Sequence, residues 1–127
     1  MRRWPWAAAA IAAAVGLTRP FRVEVAGESM TPALRPGDWL VATRGGRIRR
    51  GNVVVLRHPG RAFDLVKRVR AVPGDEVDGR ILGPDEFLVV GDNERASTDG
   101  RSFGAVPREA IEGVVRFRYH PDPGRVG

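Results

Sequence analysis

The stretch DLVKRVRAV, residues 64–72, alternates apolar and charged side chains and contains the only lysine of the chain. Successive side chains of a β-strand point to opposite faces. Lys67 and Val69 are therefore predicted to share one face of a strand, and Arg68 and Arg70 the other. On this pattern the lysine lies in an apolar row while the two arginines face solvent.

Lysine at position 67 is an exception, because the other twenty of the 21 basic residues are arginine. Burial disfavours a charged ammonium and lowers its pKa, whereas an arginine stays charged in any protein environment. A buried lysine can therefore act as a general base where an arginine cannot. The alternative is a lysine at the rim of the core with its ammonium in solvent.

Short strand-like segments separated by turns occupy most of the remaining chain. GNVVVL (51–56) is predicted to be a strand buried on both faces, and Asp78-Gly79 favours a tight hairpin turn. PREAIEG (107–113) predicts one brief helix with proline at its start and glycine past its end. These patterns indicate a mainly β fold, a small antiparallel sandwich or barrel.

Length and composition predict one small domain at residues 20–120, an apolar segment at 1–19 and a disordered tail at 121–127. The chain has no cysteine, which excludes disulfides and thiolate metal sites, and its two histidines lie far apart. We therefore expect no metal and no cofactor. The net charge of +6 suits nucleic acid, but fifteen acidic residues are interleaved with the basic ones, so no nucleic-acid partner is expected.

The N-terminus begins with two arginines, followed by an uncharged run at residues 4–17. As a helix this run would be roughly 21 Å long, short of the ~30 Å hydrocarbon core of a bilayer. It resembles in length the apolar region of a cleaved signal peptide. The alternative is an uncleaved membrane anchor with Trp4 and Trp6 at one interface.

Ser29 is the candidate nucleophile among only three serines. It follows a predicted strand, in the sequence VAGESMTP (25–32), where Gly27 permits a sharp turn and Pro32 prevents the strand from resuming. Such a turn can present a hydroxyl at the edge of a cleft, with its backbone N–H available to an oxyanion. The alternative is an ordinary loop serine, with Met30 packed in the core.

Three motifs, GESMTPALRPGD, LVKRVRAVPGD and GDNERASTDGRSFG, occur in this order. Together they resemble the successive motifs of the type I signal peptidases, which are serine endopeptidases with a Ser/Lys dyad. The resemblance spans roughly residues 20–119. It implies a β-rich catalytic domain preceded by a short N-terminal apolar helix. It also implies that Ser29 is the nucleophile, that Lys67 is the general base and that Ser97 orients the lysine amine.

The same resemblance assigns four further residues. Asp99 and Arg101 correspond to a salt-bridged pair that holds the last motif in place, and Met30 to a residue that lines the substrate cleft. Gly27 stands where some members of the family carry a second hydroxyl for the oxyanion hole. With glycine there, the oxyanion would depend more heavily on the backbone N–H of Ser29.

The implied partner is a precursor protein with an N-terminal leader peptide. For a member of this family we expect residues 4–17 to be an uncleaved anchor. The protein would then cross the membrane once, with its catalytic domain outside the cytoplasm. An alternative substrate is the precursor of a nickel-type superoxide dismutase, whose maturation protease has a similar compact form. A cytosolic precursor of that kind would require a cytoplasmic catalytic domain.

Three further hypotheses assign the chain other functions. A self-cleaving repressor-like domain uses a similar Ser/Lys pair, but here an alanine-rich segment replaces the expected DNA-binding module. A basic β-barrel that binds nucleic acid would carry stacking aromatics on one sheet face. A catalytically inactive relative would bind peptides without cleaving them.

Overall fold

The stretch that contains Lys67 is the fourth strand of the computed structural model, which describes residues 19–57, 64–93 and 105–126. The strands of these residues are β1 (Pro20–Glu24), β2 (Trp39–Thr43), β3 (Val53–Arg57), β4 (Asp64–Ala71), β5 (Glu76–Val77), β6 (Arg80–Ile81), β7 (Glu86–Val90), β8 (Val106–Pro107), β9 (Ile111–His120) and β10 (Gly124–Arg125).

Most of these strands form a single antiparallel sheet. Its order is β1-β2-β9-β3-β4-β7-β8, with β10 paired to β9, while β5 and β6 form a separate two-stranded hairpin. The prediction of a mainly β, antiparallel fold is confirmed. Within the described ranges β1 and β8 end the order without pairing to each other, so the sheet is not closed into a barrel.

The predicted N-terminal apolar helix lies outside the described residues. In the ranges that the structure does describe, no helix combines the length and the apolar character needed to cross a bilayer.

Strand β3 lies at the centre of the sheet, between β9 and β4, and is apolar on both faces. Val53 and Val55 pack into one core cluster, while Val54 and Leu56 pack into the other. All four are 0–1% exposed. The predicted burial of this strand on both faces is confirmed, and β4 is fixed beside it with Val54 opposite Lys67.

The hairpin of β5 and β6 turns at Asp78-Gly79, as predicted. Both residues have positive φ, 50° and 79°, which is the backbone conformation that a tight two-residue turn of this type requires.

The helix predicted at residues 107–113 is absent. Arg108–Ala110 form a single 3-10 turn, and β9 begins directly afterwards at Ile111. Pairing with both β2 and β3 draws this segment into the middle of the sheet. These tertiary contacts override the local helix signals of Pro107 and Gly113.

The chain is also ordered beyond residue 120, where we expected a disordered tail. Gly124 pairs with Arg118 and Arg125 pairs with Phe117, which makes β10 an additional strand beside β9. Val126 packs against the core cluster that contains Val53 and Val55.

Candidate functional site

Lys67 is buried in the sheet. It is 1% exposed, the same as Val69, and Ala71 on the same face is 4% exposed. Alternation along β4 therefore places the lysine in the apolar row, as the sequence predicted. Its expected burial is confirmed, and the position at the rim of the core is excluded by the low exposure.

Arg68 lies on the opposite face of β4. We predicted that it would face solvent, but the structure shields most of its side chain. Its side chain is 21% exposed and forms a two-pronged ion pair with Asp92, with both N–O distances at 2.9 Å. It also donates a hydrogen bond to the Gly51 carbonyl at 2.9 Å. The hydrogen bond and charge of Asp92 raise the pKa of the Arg68 guanidinium above its ordinary value. The residue next to Lys67 is therefore a structural anchor.

Ser29 lies in the loop between β1 and β2, in a region that we call the Ser29 turn (residues 27–32). Two backbone hydrogen bonds close the base of the loop: the Val25 N–H donates to the Asp38 carbonyl, and the Gly37 N–H donates to the Val25 carbonyl, both at 2.8 Å. Ser29 itself is half-buried. The loop is thus a closed excursion from the sheet, and part of the surface of Ser29 is accessible within it.

Apolar side chains fasten this loop to the core. Met30 and Leu34 are 1% and 0% exposed and belong to the cluster that contains Val53 and Val55. The Leu34 N–H also donates to the Met30 carbonyl at 2.9 Å. Met30, expected to line a substrate cleft, packs in this structure beneath the turn.

Arg118 of β9 supports the far side of the same loop. Its guanidinium donates to the Ala33 carbonyl at 3.2 Å and to the Asp38 carboxylate at 3.4 Å. Asp38 is only 6% exposed and also accepts a hydrogen bond from the Arg35 N–H at 2.9 Å. A buried carboxylate requires such partners, and here they fix the path of the loop.

Gly27 does not use the conformational freedom of glycine that we expected of it. Its φ is not in the positive range, and a Cβ built on it would meet no atom within 4 Å. An added Cβ can therefore be accommodated at this position.

Asn93 connects the third motif to the Ser29 turn. Its backbone N–H donates to the Ser29 carbonyl at 2.7 Å, and its side-chain amide donates to the Glu28 carbonyl at 3.2 Å and to Thr31 Oγ1 at 3.0 Å. Together with the ion pair of Asp92 to Arg68, these bonds bring the backbones of the three sequence motifs together.

Ser97, Asp99 and Arg101 lie outside the described residues, so their predicted roles remain predictions. Sequence reasoning missed the contributions of Arg68, Asp92 and Asn93. All three belong to the motifs already quoted, and the polar pair Asp92-Asn93, separated by one residue from the end of β7, was the signal that could have indicated them. In the described ranges, no three acidic, histidine or cysteine side chains are grouped so as to hold a metal ion.

Comparison with known proteins identifies the family of the chain. The model of the family "Signal peptidase, peptidase S26" matches residues 2–81 and 78–120. The signal peptidase I of Bacillus caldolyticus is 31% identical, over 94% of this chain and 91% of its own. The signal peptidase IB of Staphylococcus aureus (strain COL) is 28% identical, over 83% of this chain and 79% of its own. With a family match that runs through nearly all of its length, this chain belongs to the signal peptidase family, peptidase S26.

Proposed function

We propose that this protein is a serine endopeptidase that removes N-terminal leader peptides from precursor proteins, with Ser29 as nucleophile and Lys67 as general base. The observation that carries the proposal is the burial of Lys67, the only lysine of the chain, which is 1% exposed. Burial favours the neutral amine over the charged ammonium, and a neutral amine can accept a proton from a hydroxyl.

In the proposed reaction, the Lys67 amine takes the proton of the Ser29 hydroxyl while Oγ forms a bond to the carbonyl carbon of the scissile peptide. The carbonyl oxygen becomes an oxyanion, which the backbone N–H of Ser29 stabilises. When this intermediate collapses, the C–N bond breaks and the leaving amine takes the proton from the Lys67 ammonium. Water, deprotonated by the Lys67 amine, then attacks the acyl ester. The ester C–O bond breaks, and the Lys67 ammonium returns the proton to Ser29 Oγ.

Three residues of the last motif complete the proposed site. Ser97 orients the lysine amine through a hydrogen bond, and Asp99 and Arg101 form the ion pair that holds this segment in place. The leader peptide binds in extended form along a strand edge, a mode in which main-chain hydrogen bonds supply affinity.

Residues 4–17 are proposed to anchor the protein in a membrane. Arg2 and Arg3 would then keep the N-terminus on the cytoplasmic side and place the catalytic domain outside. In this arrangement the substrates are exported preproteins. The nickel superoxide dismutase precursor, with a cytoplasmic catalytic domain, stays an alternative prediction.

Two substitutions of opposite kind on β4 test the dyad. Lys67→Arg retains the charge but removes the base, so we expect cleavage of a leader-bearing preprotein to fall by about 10²–10⁴-fold. Arg70→Lys makes the reverse exchange on the exposed face and should cleave at the wild-type rate. Ser29→Ala should be as inactive as Lys67→Arg, and Ser97→Ala less impaired.

The measurement is the rate of appearance of the mature N-terminus, followed by mass spectrometry with the full chain in detergent. Exported preproteins and a nickel superoxide dismutase precursor are compared as substrates. Wild-type activity in Lys67→Arg or Ser29→Ala contradicts the proposed dyad.

A further inference from the structure

Three hydrogen bonds join Asn93 to the Ser29 turn, and one ends on the carbonyl of Ser29 itself, at 2.7 Å. The Asn93 amide bonds Glu28 and Thr31, which are themselves joined, since the Thr31 backbone N–H and hydroxyl both donate to the Glu28 carbonyl at 3.1 and 3.0 Å. The turn and the asparagine thus form one connected network around Ser29.

The other side of this network is fixed to the strand that carries Lys67. Asn93 lies three residues beyond Val90, the last residue of β7, and Val90 is paired in register with Arg68 on β4. Between them, Asp92 binds Arg68 through two bonds at 2.9 Å. Because this segment is short and fixed at both ends, the position of the Ser29 turn relative to β4 can vary little.

The chemistry of the network requires an amide at position 93. A carbonyl oxygen only accepts hydrogen bonds, so the group that faces Glu28 must be the Asn93 NH2. An aspartate of the same shape has no donor when ionised, and it would place negative charge against that carbonyl. The two side-chain hydrogen bonds to Glu28 and Thr31 therefore depend on the donor at position 93.

We propose that Asn93 is a positioning residue that holds the Ser29 hydroxyl in line with the base, acting through the backbone of the Ser29 turn. This inference rests on the proposed function, in which Ser29 is the nucleophile. Reacting groups displaced by about 1 Å lose on the order of 10²-fold in rate. Loosening the turn should therefore lower kcat and leave KM nearly unchanged, because Asn93 acts on the nucleophile and not on the peptide.

The two asparagines of the chain provide a matched comparison. At Asn52 it is the side-chain oxygen that accepts a hydrogen bond, from the Arg49 N–H at 2.8 Å, so Asn52→Asp preserves the bond. At Asn93 the side-chain nitrogen donates, so Asn93→Asp removes it. We expect Asn93→Asp to lower kcat about 10–100-fold with KM within about twofold of wild type, and Asn52→Asp to leave both unchanged.

Thr31 gives a second test if Asn93→Asp folds poorly. Thr31→Ala removes the oxygen that accepts from Asn93 and donates to Glu28, and it should lower kcat by several-fold. Thr31→Ser retains that oxygen and should restore most of the lost rate. Loss of stability alone would lower the apparent kcat only as far as it lowers the folded fraction, which the unfolding measurement in the assay buffer gives directly.

All variants are assayed as the full chain with the same preprotein, beside thermal unfolding in the assay buffer. A kcat of wild-type size in both Asn93→Asp and Thr31→Ala overturns the positioning role, as does a rise in KM at constant kcat. Ser29→Ala, included in the same series, separates the two proposals. If that variant is active the proposed function fails, whereas if it is inactive and Asn93→Asp is not, only the role of Asn93 fails.

Discussion

Arg68 and Asp92 are joined by two parallel hydrogen bonds, Nε to Oδ1 and Nη2 to Oδ2, each 2.9 Å long. The pair connects β4 to the residues that follow β7, and its side chains are 21% and 22% exposed. An ion pair that is this well aligned and shielded contributes more than an exposed one.

A double-mutant cycle with Arg68→Ala and Asp92→Ala should yield a coupling free energy of about 1–2 kcal/mol. Arg50 and Asp75 provide the comparison, because they are 3.6 Å apart and the arginine is 69% exposed. Their cycle should yield less than about 0.5 kcal/mol. Both are measured by urea unfolding, and equal couplings would contradict the importance assigned to alignment and burial.

Gly113→Ala should destabilise the fold by about 1–3 kcal/mol, the usual range for overpacking. A Cβ there would lie 2.6 Å from the Phe21 ring and 2.7 Å from the Thr43 carbonyl oxygen. The ring can shift, but the carbonyl belongs to β2 and cannot move without disturbing the sheet. Gly124→Ala is the control, since its nearest contact is an Arg118 nitrogen at 3.7 Å. A wild-type urea midpoint for Gly113→Ala would show that β9 can move away from β1 and β2.

Gly27→Ser should fold normally and cleave faster than Gly27→Ala. No atom lies within 4 Å of a Cβ at this position, so both side chains fit. In the proposed mechanism the oxyanion depends on the backbone N–H of Ser29, and a serine hydroxyl would add a donor that acts mainly on kcat. Steady-state kinetics of the two variants make the comparison. Equal kcat values would place the added hydroxyl outside the site.

Two glutamates should make the stability of the fold depend on pH in opposite ways. The first is Glu112. Burial, and then the nearby Asp64 carboxylate, raise the pKa of Glu112 above its ordinary value of 4.5. The folded state therefore holds this proton more tightly than the unfolded chain, and stability falls as the pH rises from the ordinary pKa to the raised one. In Glu112→Gln that decline should be smaller, as urea midpoints measured across the same pH range will show.

Glu86 has the opposite sign. Hydrogen bonds from Arg80 and then from the Gly83 N–H lower its pKa below 4.5. Its contribution to stability is present above the ordinary pKa and is lost as the pH falls through the lowered one. Glu86→Gln should lose stability relative to wild type at neutral pH, and the difference should shrink in acid. A difference that is constant with pH would contradict the linkage.

The strands that alternate strictly could be predicted from sequence, because their side-chain period reports directly which face is buried. This is how the burial of Lys67 was anticipated, whereas the turn at Asp78-Gly79 was predicted from the preference of that pair for a tight hairpin. The strand at Ile111–His120 could not be predicted in this way. Pro107, before the strand, and Gly113, near its start, have helix-like spacing, and the place of the strand between β2 and β3 determines its conformation.

The site was predictable only as far as residue types suggest chemistry. Ser29 and Lys67 could be selected because a hydroxyl and a lone buried amine have reactive roles. Asn93 and Arg68 act through contacts between distant parts of the chain, 62 positions apart for Asn93 and Thr31, and such pairings cannot be read from one sequence. Gly27, selected as a turn residue, does not adopt a positive φ.

Because the chain has a single lysine and that lysine is enclosed by the sheet, its ε-amine is a built-in reporter of local opening. Lys67 is 1% exposed, so a lysine-selective acylating reagent should modify this side chain only in molecules whose packing around it has opened. The labelling rate, compared with that of a free lysine derivative, therefore gives the population of opened molecules without any engineered probe. The lysine that distinguishes this sequence from an all-arginine one therefore also allows local opening around the sheet to be measured.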